Sequence, residues 1–427
     1  MRSTAWLLGL LSLLALALAV PASADDDPKY SDKKLKKMTK AQLRKQGLTP
    51  KGVSNCRPKR GNKVMVCKWR AEGLWPGEVA YECVGKARLV VRKKKWKINP
   101  CNNIREPMVP LGPVGPHPLF GYNEDWIAQA GKLDSLAAGG SEIARTGMYW
   151  DAVEQHSPDG RYWAPFDGIY AQMRSLGIRP LWVLQAAPCW AQRGECHRGS
   201  HPSAGHFDEF AAFAVRVAQR YPDSLGLEVW NEPNWGLYWG GNPDPYAWGE
   251  MVRVVASTVH REVSGMPVVS GGLSPHINSE GDAMGYEQFL RLAYETGGPQ
   301  EADAIGSHPY PQRRYTDDYL GNVRIKLFRY LRVMQEFGDG AKPIWVTETG
   351  TSTTEDDGFN ADQQADALAK MYTQFRRIEN IPVVIYHRFV DQPGHPKANE
   401  RGFGVLESGG NRKPAYCAVA AAREKPC

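Results

Sequence analysis

The sequence predicts a (β/α)8 barrel preceded by a small, basic, disulfide-stapled and β-rich N-terminal module. Three observations carry that expectation. Eight short apolar runs alternate with amphipathic helical stretches from Leu119 to the C-terminus, the pattern of repeated βα units around a parallel sheet. The charge changes sign along the chain: residues 25–110 hold 23 Lys and Arg against 8 Asp and Glu, a net of +15, whereas the residues from Leu111 onward carry −9. Pro107, Pro110, Pro113, Pro116 and Pro118 stand between the two regions. A hydrophobic share of 42% with 23% charged residues excludes a disordered or fibrous chain.

Residues 1–24 read as a signal peptide. Arg2 is the positive start, Leu7 to Val20 is an unbroken apolar run, and Ala22-Ser23-Ala24 is a small-x-small cleavage pattern. The run is short for a membrane span and no other stretch approaches 18 apolar residues, so the mature chain is expected to be secreted, extracellular and without stable membrane insertion. Residues 25–54 read as a basic flexible arm or a short exposed helix, with a weak helical stripe at Leu35, Met38 and Leu43. Residues 55–106 turn to strand-like runs, KVMVCKW, EVAYECVG and ARLVVRKKKWKI. So short a module buries little apolar surface, which makes Cys56, Cys67, Cys83 and Cys101 its expected staples, with three connectivities open. In residues 107–118 the prolines recur at the three-residue period of polyproline II, which predicts a semi-rigid linker.

The eight runs of the barrel, residues 119–427, are 119–122, 142–150, 179–188, 225–234, 267–275, 302–311, 343–350 and 382–390. Helical stretches at 207–221, 246–263 and 361–378 lie between them, with apolar residues three and four apart. Four further cysteines form two close pairs, Cys189/Cys196 and Cys417/Cys427, and in an exported chain each pair is expected to close a local disulfide. Cys189, Cys196, His197, His201 and His206 also cluster closely enough for zinc, but their Gly/Ser/Pro-rich segment fixes no ligand geometry, and no metal is expected.

Active sites of such barrels lie at the C-terminal ends of the strands. The polar and aromatic residues there are Trp150 on the second run, Cys189 and Trp190 after the third, Asn231 and Glu232 on the fourth, and His276 after the fifth. His308 and Tyr310 follow on the sixth, Glu348 on the seventh, and Tyr386, His387 and Arg388 on the eighth. Two glutamates thus end the fourth and seventh strands, nearly opposite across the mouth. Paired carboxyl groups flanking a cleft with aromatic walls are what cleavage of a glycosidic bond needs: one protonates the leaving oxygen and the other attacks the anomeric carbon or activates water. A G-x-S-x-G elbow, a P-loop and a G-x-G-x-x-G turn are all absent from the sequence, so serine nucleophile chemistry and phosphate binding are unsupported and no cofactor is expected.

Trp230-Asn231-Glu232-Pro233-Asn234 on one strand and Thr347-Glu348-Thr349-Gly350 on another, with His308-Pro309-Tyr310-Pro311 between them, resemble the catalytic strands of clan A glycoside hydrolases. The region from Leu119 to Ala422 is most similar to families 39 and 5, which include β-xylosidases, endoglycosidases and cellulase-like enzymes. The resemblance implies Glu232 as general acid/base, Glu348 as nucleophile of a retaining double displacement, and Asn231 as partner of the sugar 2-hydroxyl. It further implies that Tyr310 and His308 orient the nucleophile and that Arg145 supports its carboxylate. Trp150, Trp190, Trp235, His276 and Tyr386 complete the expected sugar-binding set. Where many relatives end the eighth strand with a tryptophan platform, this chain has Tyr386-His387-Arg388-Phe389.

The expected partner of the barrel is a poly- or oligosaccharide. The Lys/Arg-rich strands of the N-terminal module, with Trp69, Trp75, Tyr81 and Trp96, suit an anionic polymer such as an acidic polysaccharide or cell-wall polymer. Export argues against nucleic acid. The alternative is a catalytically silent protein that binds polysaccharide, or attaches to the wall through its basic module.

Overall fold

The computed structural model describes residues 32–427 apart from 46–48, 55, 60–63, 75–79, 91–94, 99–102, 106–108, 125–130, 157–160, 198, 312–318 and 355–357. The signal segment, Trp75, Cys101 and the side chains of Tyr81, Cys83 and Trp96 lie outside the described parts. The chain divides into two compact units, residues 1–107 and 108–427. Among the described residues no helix is long and apolar enough to cross a membrane.

The first unit is an antiparallel sheet. Its strands are β1 (Thr49–Val53), β2 (Arg57–Lys59), β3 (Val64–Leu74), β4 (Ala80–Val90), β5 (Lys95–Ile98) and β6 (Asn103–Arg105), ordered β1-β3-β4-β5 with β2 on β3 and β6 on β4. Of the two readings of this stretch, flexible arm or short helix, its described part takes the second, a helix at Asp32–Lys45 followed by β1. Leu35, Thr39 and Leu43 recur every four residues and are fully buried, so a single stripe holds this otherwise charged helix in place. Asp32 Oδ1 accepts from the backbone N–H of Cys56 at 2.8 Å, tying the helix start to the sheet. Cys56 is bonded to Cys67, one of the pairings the sequence left open.

The second unit is an eight-stranded parallel barrel. Its strands are β7 (Leu119–Asn123), β8 (Ile143–Tyr149), β9 (Arg179–Gln185), β10 (Gly226–Val229), β11 (Val268–Ser270), β12 (Ile305–Ser307), β13 (Ile344–Thr349) and β14 (Val383–His387). Neighbouring strands pair in chain order, β14 returns to β7, and parallel bridges Val269–Ala304 and Leu273–Ser307 close the ring between β11 and β12. Seven strands fall within the apolar runs and β7 extends one residue past its run, to Asn123, because a strand covered on both faces must be apolar almost throughout but can end on a polar residue. The helices Phe207–Arg220, Pro245–Glu262 and Ala361–Phe375 match the periodic stretches.

Ile143, Leu181, Leu225, Val269, Ala304, Trp345, Val383 and Ile385 plug the barrel interior, and a larger apolar layer fills the space between strands and helices. The proline-rich segment expected to be a spacer is held along this unit. Gly112 and Gly115 donate backbone N–H groups to the carbonyls of Arg377 (2.8 Å) and Arg376 (2.7 Å), and Arg324 Nε donates to the Val109 carbonyl at 2.8 Å. Prolines lack the N–H, so the residues between them make these bonds. Cys189 is bonded to Cys196 and Cys417 to Cys427.

Candidate active site

Alternation along the strands decides which side chains reach the site, since successive residues face opposite sides. On β14, Val383 and Ile385 face the barrel interior, and His387 follows them in register above the plug, while Tyr386 faces the helices. On β8, Ile143 starts the interior row that continues through Arg145, and Trp150 falls on the other side. Two local departures from alternation build the rest. At the end of β10, Trp230 adopts φ 74° and turns into the outer apolar layer, so that the consecutive Asn231 and Glu232 both face the mouth. Left-handed φ is strained for a bulky residue, and here Trp230 is held by its N–H to the Leu184 carbonyl (3.0 Å) and its indole N–H to the Tyr238 carbonyl (2.9 Å). On β13 the register to β14 gains one residue between Val346 and Thr349, a bulge that swings Glu348 inward.

Glu348 sits in a cage of donors. Its Oε2 accepts from Arg145 Nη1 (3.0 Å) and Asn123 Nδ2 (3.1 Å), its Oε1 accepts from the Tyr310 hydroxyl (2.6 Å), and His387 Nδ1 lies 3.9 Å away. Burial by itself would raise this carboxyl, but His387, His308, Arg145 and the Tyr310 bond outweigh it and hold the group down at about 2. Tyr310 is pushed well above its ordinary value by burial and by the neighbouring carboxylates Glu348 and Glu400, so its hydroxyl stays a donor. Arg145 is the hub of the cage. Its Nε donates to Glu228 Oε2 (2.6 Å), its Nη1 also to Asn123 Oδ1 (2.9 Å), and its Nη2 to Asn231 Oδ1 (2.9 Å). Glu228 is fully buried and accepts from the Gly272 N–H at 2.9 Å as well, which fixes the guanidinium from behind.

Glu232 has a different neighbourhood. Its Oε1 is 3.0 Å from His308 Nδ1 and its backbone N–H donates to the Gly272 carbonyl at 2.9 Å. Gly272 cannot carry a side chain, because a Cβ there would collide with the His308 ring and the Thr347 hydroxyl. His308, expected beside the nucleophile, thus bonds Glu232 and stands buried behind it.

Both glutamates line a cavity of about 1120 Å³, together with the expected Arg145, Asn231, Trp235, His276 and Tyr310. Trp235 is held at the rim by its indole N–H to Asp282 Oδ1 (3.1 Å), with the His276 ring 5.0 Å away. Three expected residues are corrected. Trp150 is fully buried against Phe210 and Phe213, and its indole N–H donates to Glu154 at 2.8 Å. Trp190 packs edge-on against Trp150 and donates to the Glu154 carbonyl. Tyr386 is buried among Phe120 and Tyr122 with its hydroxyl on the Leu368 carbonyl. All three lie in the outer layer, where strand-end position alone placed them but the direction of the side chain does not.

The cavity also takes in His387 and Arg388, polar residues at the end of the eighth run but not in the expected sugar-binding set, and Asn123, Lys326, Lys397 and Glu400, which were not among the expected residues. For His387 the period-2 alternation with Val383 and Ile385 was the available signal. Glu400 comes from a loop after β14, and nothing local in the sequence marks it. One carboxylate oxygen each of Glu232 and Glu348 and a ring nitrogen of His308 lie within 4.8 Å of one another. That spacing could suit a cation, but Arg145 and Tyr310 already engage Glu348, and the guanidinium 3.0 Å away would repel one. The paired sulfurs of Cys189 and Cys196 offer no thiolate for zinc.

No family model and no curated protein matches the sequence. Among solved structures, the chain is similar to a family 39 glycoside hydrolase from the gut symbiont Bacteroides cellulosilyticus WH2, with a TM-score of 0.57 and 19% identity over 88% of this chain and 82% of that one. The likeness is one of fold, a (β/α)8 barrel. A monomeric beta-xylosidase from Caulobacter crescentus CB15 matches with a TM-score of 0.55 and 20% identity, covering 74% of this chain and 69% of the other. GH5_18 from Streptomyces cattleya, in complex with Manb1-4GlcNAc, matches with a TM-score of 0.54 and 16% identity over 72% and 80% of the two chains. Identities this low carry the architecture and leave the reaction to the site itself.

Proposed function

We propose that the protein is a secreted glycoside hydrolase that cleaves O-glycosidic bonds of an oligo- or polysaccharide with retention of anomeric configuration. The observation that carries this reading is the pair Glu232 and Glu348, with carboxylate oxygens within 4.8 Å in unlike surroundings. Retaining enzymes hold their carboxyl groups about 5–5.5 Å apart and inverting enzymes about 6.5–9.5 Å, since only the latter must seat an attacking water between them. Glu348, ionised among Arg145, Asn123, Tyr310 and His387, is the nucleophile. Glu232, beside His308, is the acid that protonates the leaving oxygen and the base that later activates water. Asn231, oriented by Arg145, is placed to bond a sugar hydroxyl next to the anomeric carbon. The likeness to solved glycoside hydrolases supports the same class, and the leader-like first 24 residues and the disulfides support export.

A panel of chromogenic glycosides and polysaccharides tests the reading, with proton NMR of the first product formed. The expected outcome is release of a sugar whose anomeric configuration equals that of the substrate. An inverted first product would remove Glu348 from the nucleophile's role, and no release from any substrate in the panel would leave the chain a polysaccharide-binding protein.

The basic module is proposed to hold an anionic polymer. The net +15 of residues 25–110 makes the attraction electrostatic, with a screening length of about 8 Å at physiological ionic strength. The full chain should be retained on an acidic polysaccharide more strongly than on a neutral one, and should elute as salt is raised. Retention equal on both and indifferent to salt would show that the charge is only a solvated surface.

A further inference from the structure

The eighth strand ends in a histidine where the mechanism above has no assigned role for one. His387 is 6% exposed and lies between the nucleophile and a second carboxylate. Its Nε2 is 2.8 Å from Glu400 Oε2, and its Nδ1 is 3.1 Å from Asn123 Nδ2 and 3.9 Å from Glu348 Oε1. The Asn123 amide is fixed by Arg145, whose Nη1 donates to its Oδ1, so its Nδ2 is the end that faces both Glu348 Oε2 and His387. Asn123 therefore donates one N–H to the nucleophile and the other to Nδ1 of a neutral imidazole, whose Nε2–H donates to Glu400 at 2.8 Å in preference to accepting from Arg388 Nε at 3.2 Å. A proton gained at Nδ1 displaces the Asn123 donor and turns toward Glu348.

We propose that His387, anchored by Glu400, is a positioning residue for the Glu348 nucleophile. In its neutral form it orients the Asn123 amide against Glu348, and in its protonated form it places a second cation beside that carboxylate. The inference rests on the glycosidase reading for its kinetic consequence alone. The groups that face the imidazole are Glu348 from β13, Glu400 from the loop after β14 and Arg388, the first residue past β14, whose Nε is 3.2 Å from Nε2, with Arg145 on β8 beyond Asn123 and the Tyr310 and Phe403 rings at 6.3 and 5.0 Å. Burial works against the charged imidazole, but Glu348 and Glu400 together raise its proton affinity above the usual histidine value despite Arg388. The same contact lowers Glu400 against its burial.

Two measurements on the full chain test this. The first reads protonation without catalysis: nitrogen-15 NMR of the imidazoles should show His387 titrating above an ordinary histidine, with its midpoint moved down in both Glu348→Gln and Glu400→Gln. An unchanged midpoint in Glu348→Gln overturns the coupling, whatever the enzyme does. The second reads the nucleophile through the rate of its esterification by a 2-deoxy-2-fluoro glycoside across pH. Removing a cation within about 4 Å raises a carboxyl by about one unit, so His387→Asn should move the acid limb up by about that much, whereas Glu400→Gln keeps the imidazolium at that pH and removes a neighbouring anion, so it should not move the limb up. A lower rate with the acid limb unmoved in His387→Asn would reduce His387 to a packing role and overturn the inference. If no glycoside reacts, the imidazole titration still decides the coupling while the glycosidase reading falls separately.

Discussion

Replacing Glu348 by Ala is expected to lower turnover of every substrate by on the order of 10⁵–10⁶-fold, the loss seen when a covalent nucleophile is deleted. The cage makes this outcome specific. Arg145, Asn123 and Tyr310 all donate to this one carboxylate, and with the Tyr310 hydroxyl held as a donor none of them offers an anion in its place. The deletion opens room on that face of the sugar, so added azide should restore reaction and yield a glycosyl azide of inverted configuration. Because Glu348 is held at about 2, the wild type should keep its nucleophile ionised into mildly acidic solution, and activity should fall on the acid side only as pH drops toward that value. Azide rescue with retained configuration, or wild-type rates in Glu348→Ala, would place the nucleophile elsewhere.

Replacing Glu232 by Ala is expected to cost about 10²–10⁴-fold on substrates whose leaving group is a sugar, and far less on aryl glycosides with acidic phenols. A good leaving group departs without protonation, so the loss should grow as the leaving group becomes more basic. Release of the second product should become rate-limiting with the activated substrates, since the water that hydrolyses the glycosyl-enzyme also loses its base. Equal losses on all leaving groups would mean that Glu232 shapes the cleft and does not transfer a proton. His308, which bonds Glu232 from behind, predicts no such dependence on its own.

The eight strands were readable before any coordinates because parallel strands buried on both faces must be apolar nearly throughout, and that leaves short runs bounded by polar strand ends. Glu232 and Glu348 were readable for a related reason: each closes such a run within a distinctive pentapeptide or tetrad. The direction of a side chain at a strand end was less secure. Trp150 and Tyr386 sit one residue from inward positions, and a one-residue error in alternation sends an aromatic ring into the helix layer and hides the histidine beside it.

Even correct alternation could not have placed the departures from it. The left-handed turn at Trp230 and the bulge in β13 are backbone adjustments that the packed neighbours impose, through the Leu184 and Tyr238 carbonyls and the register against β14. The sequence by itself determined the barrel, the disulfide pairs Cys189–Cys196 and Cys417–Cys427, and the two opposed carboxyl groups, because these follow from periodicity and local spacing. Only the tertiary structure decided that Glu228 braces Arg145, that His308 serves Glu232, and that Glu400 reaches His387. Those contacts join residues 83, 76 and 13 positions apart, and a hydrogen bond depends on distance and angle in space, which no separation along the chain encodes.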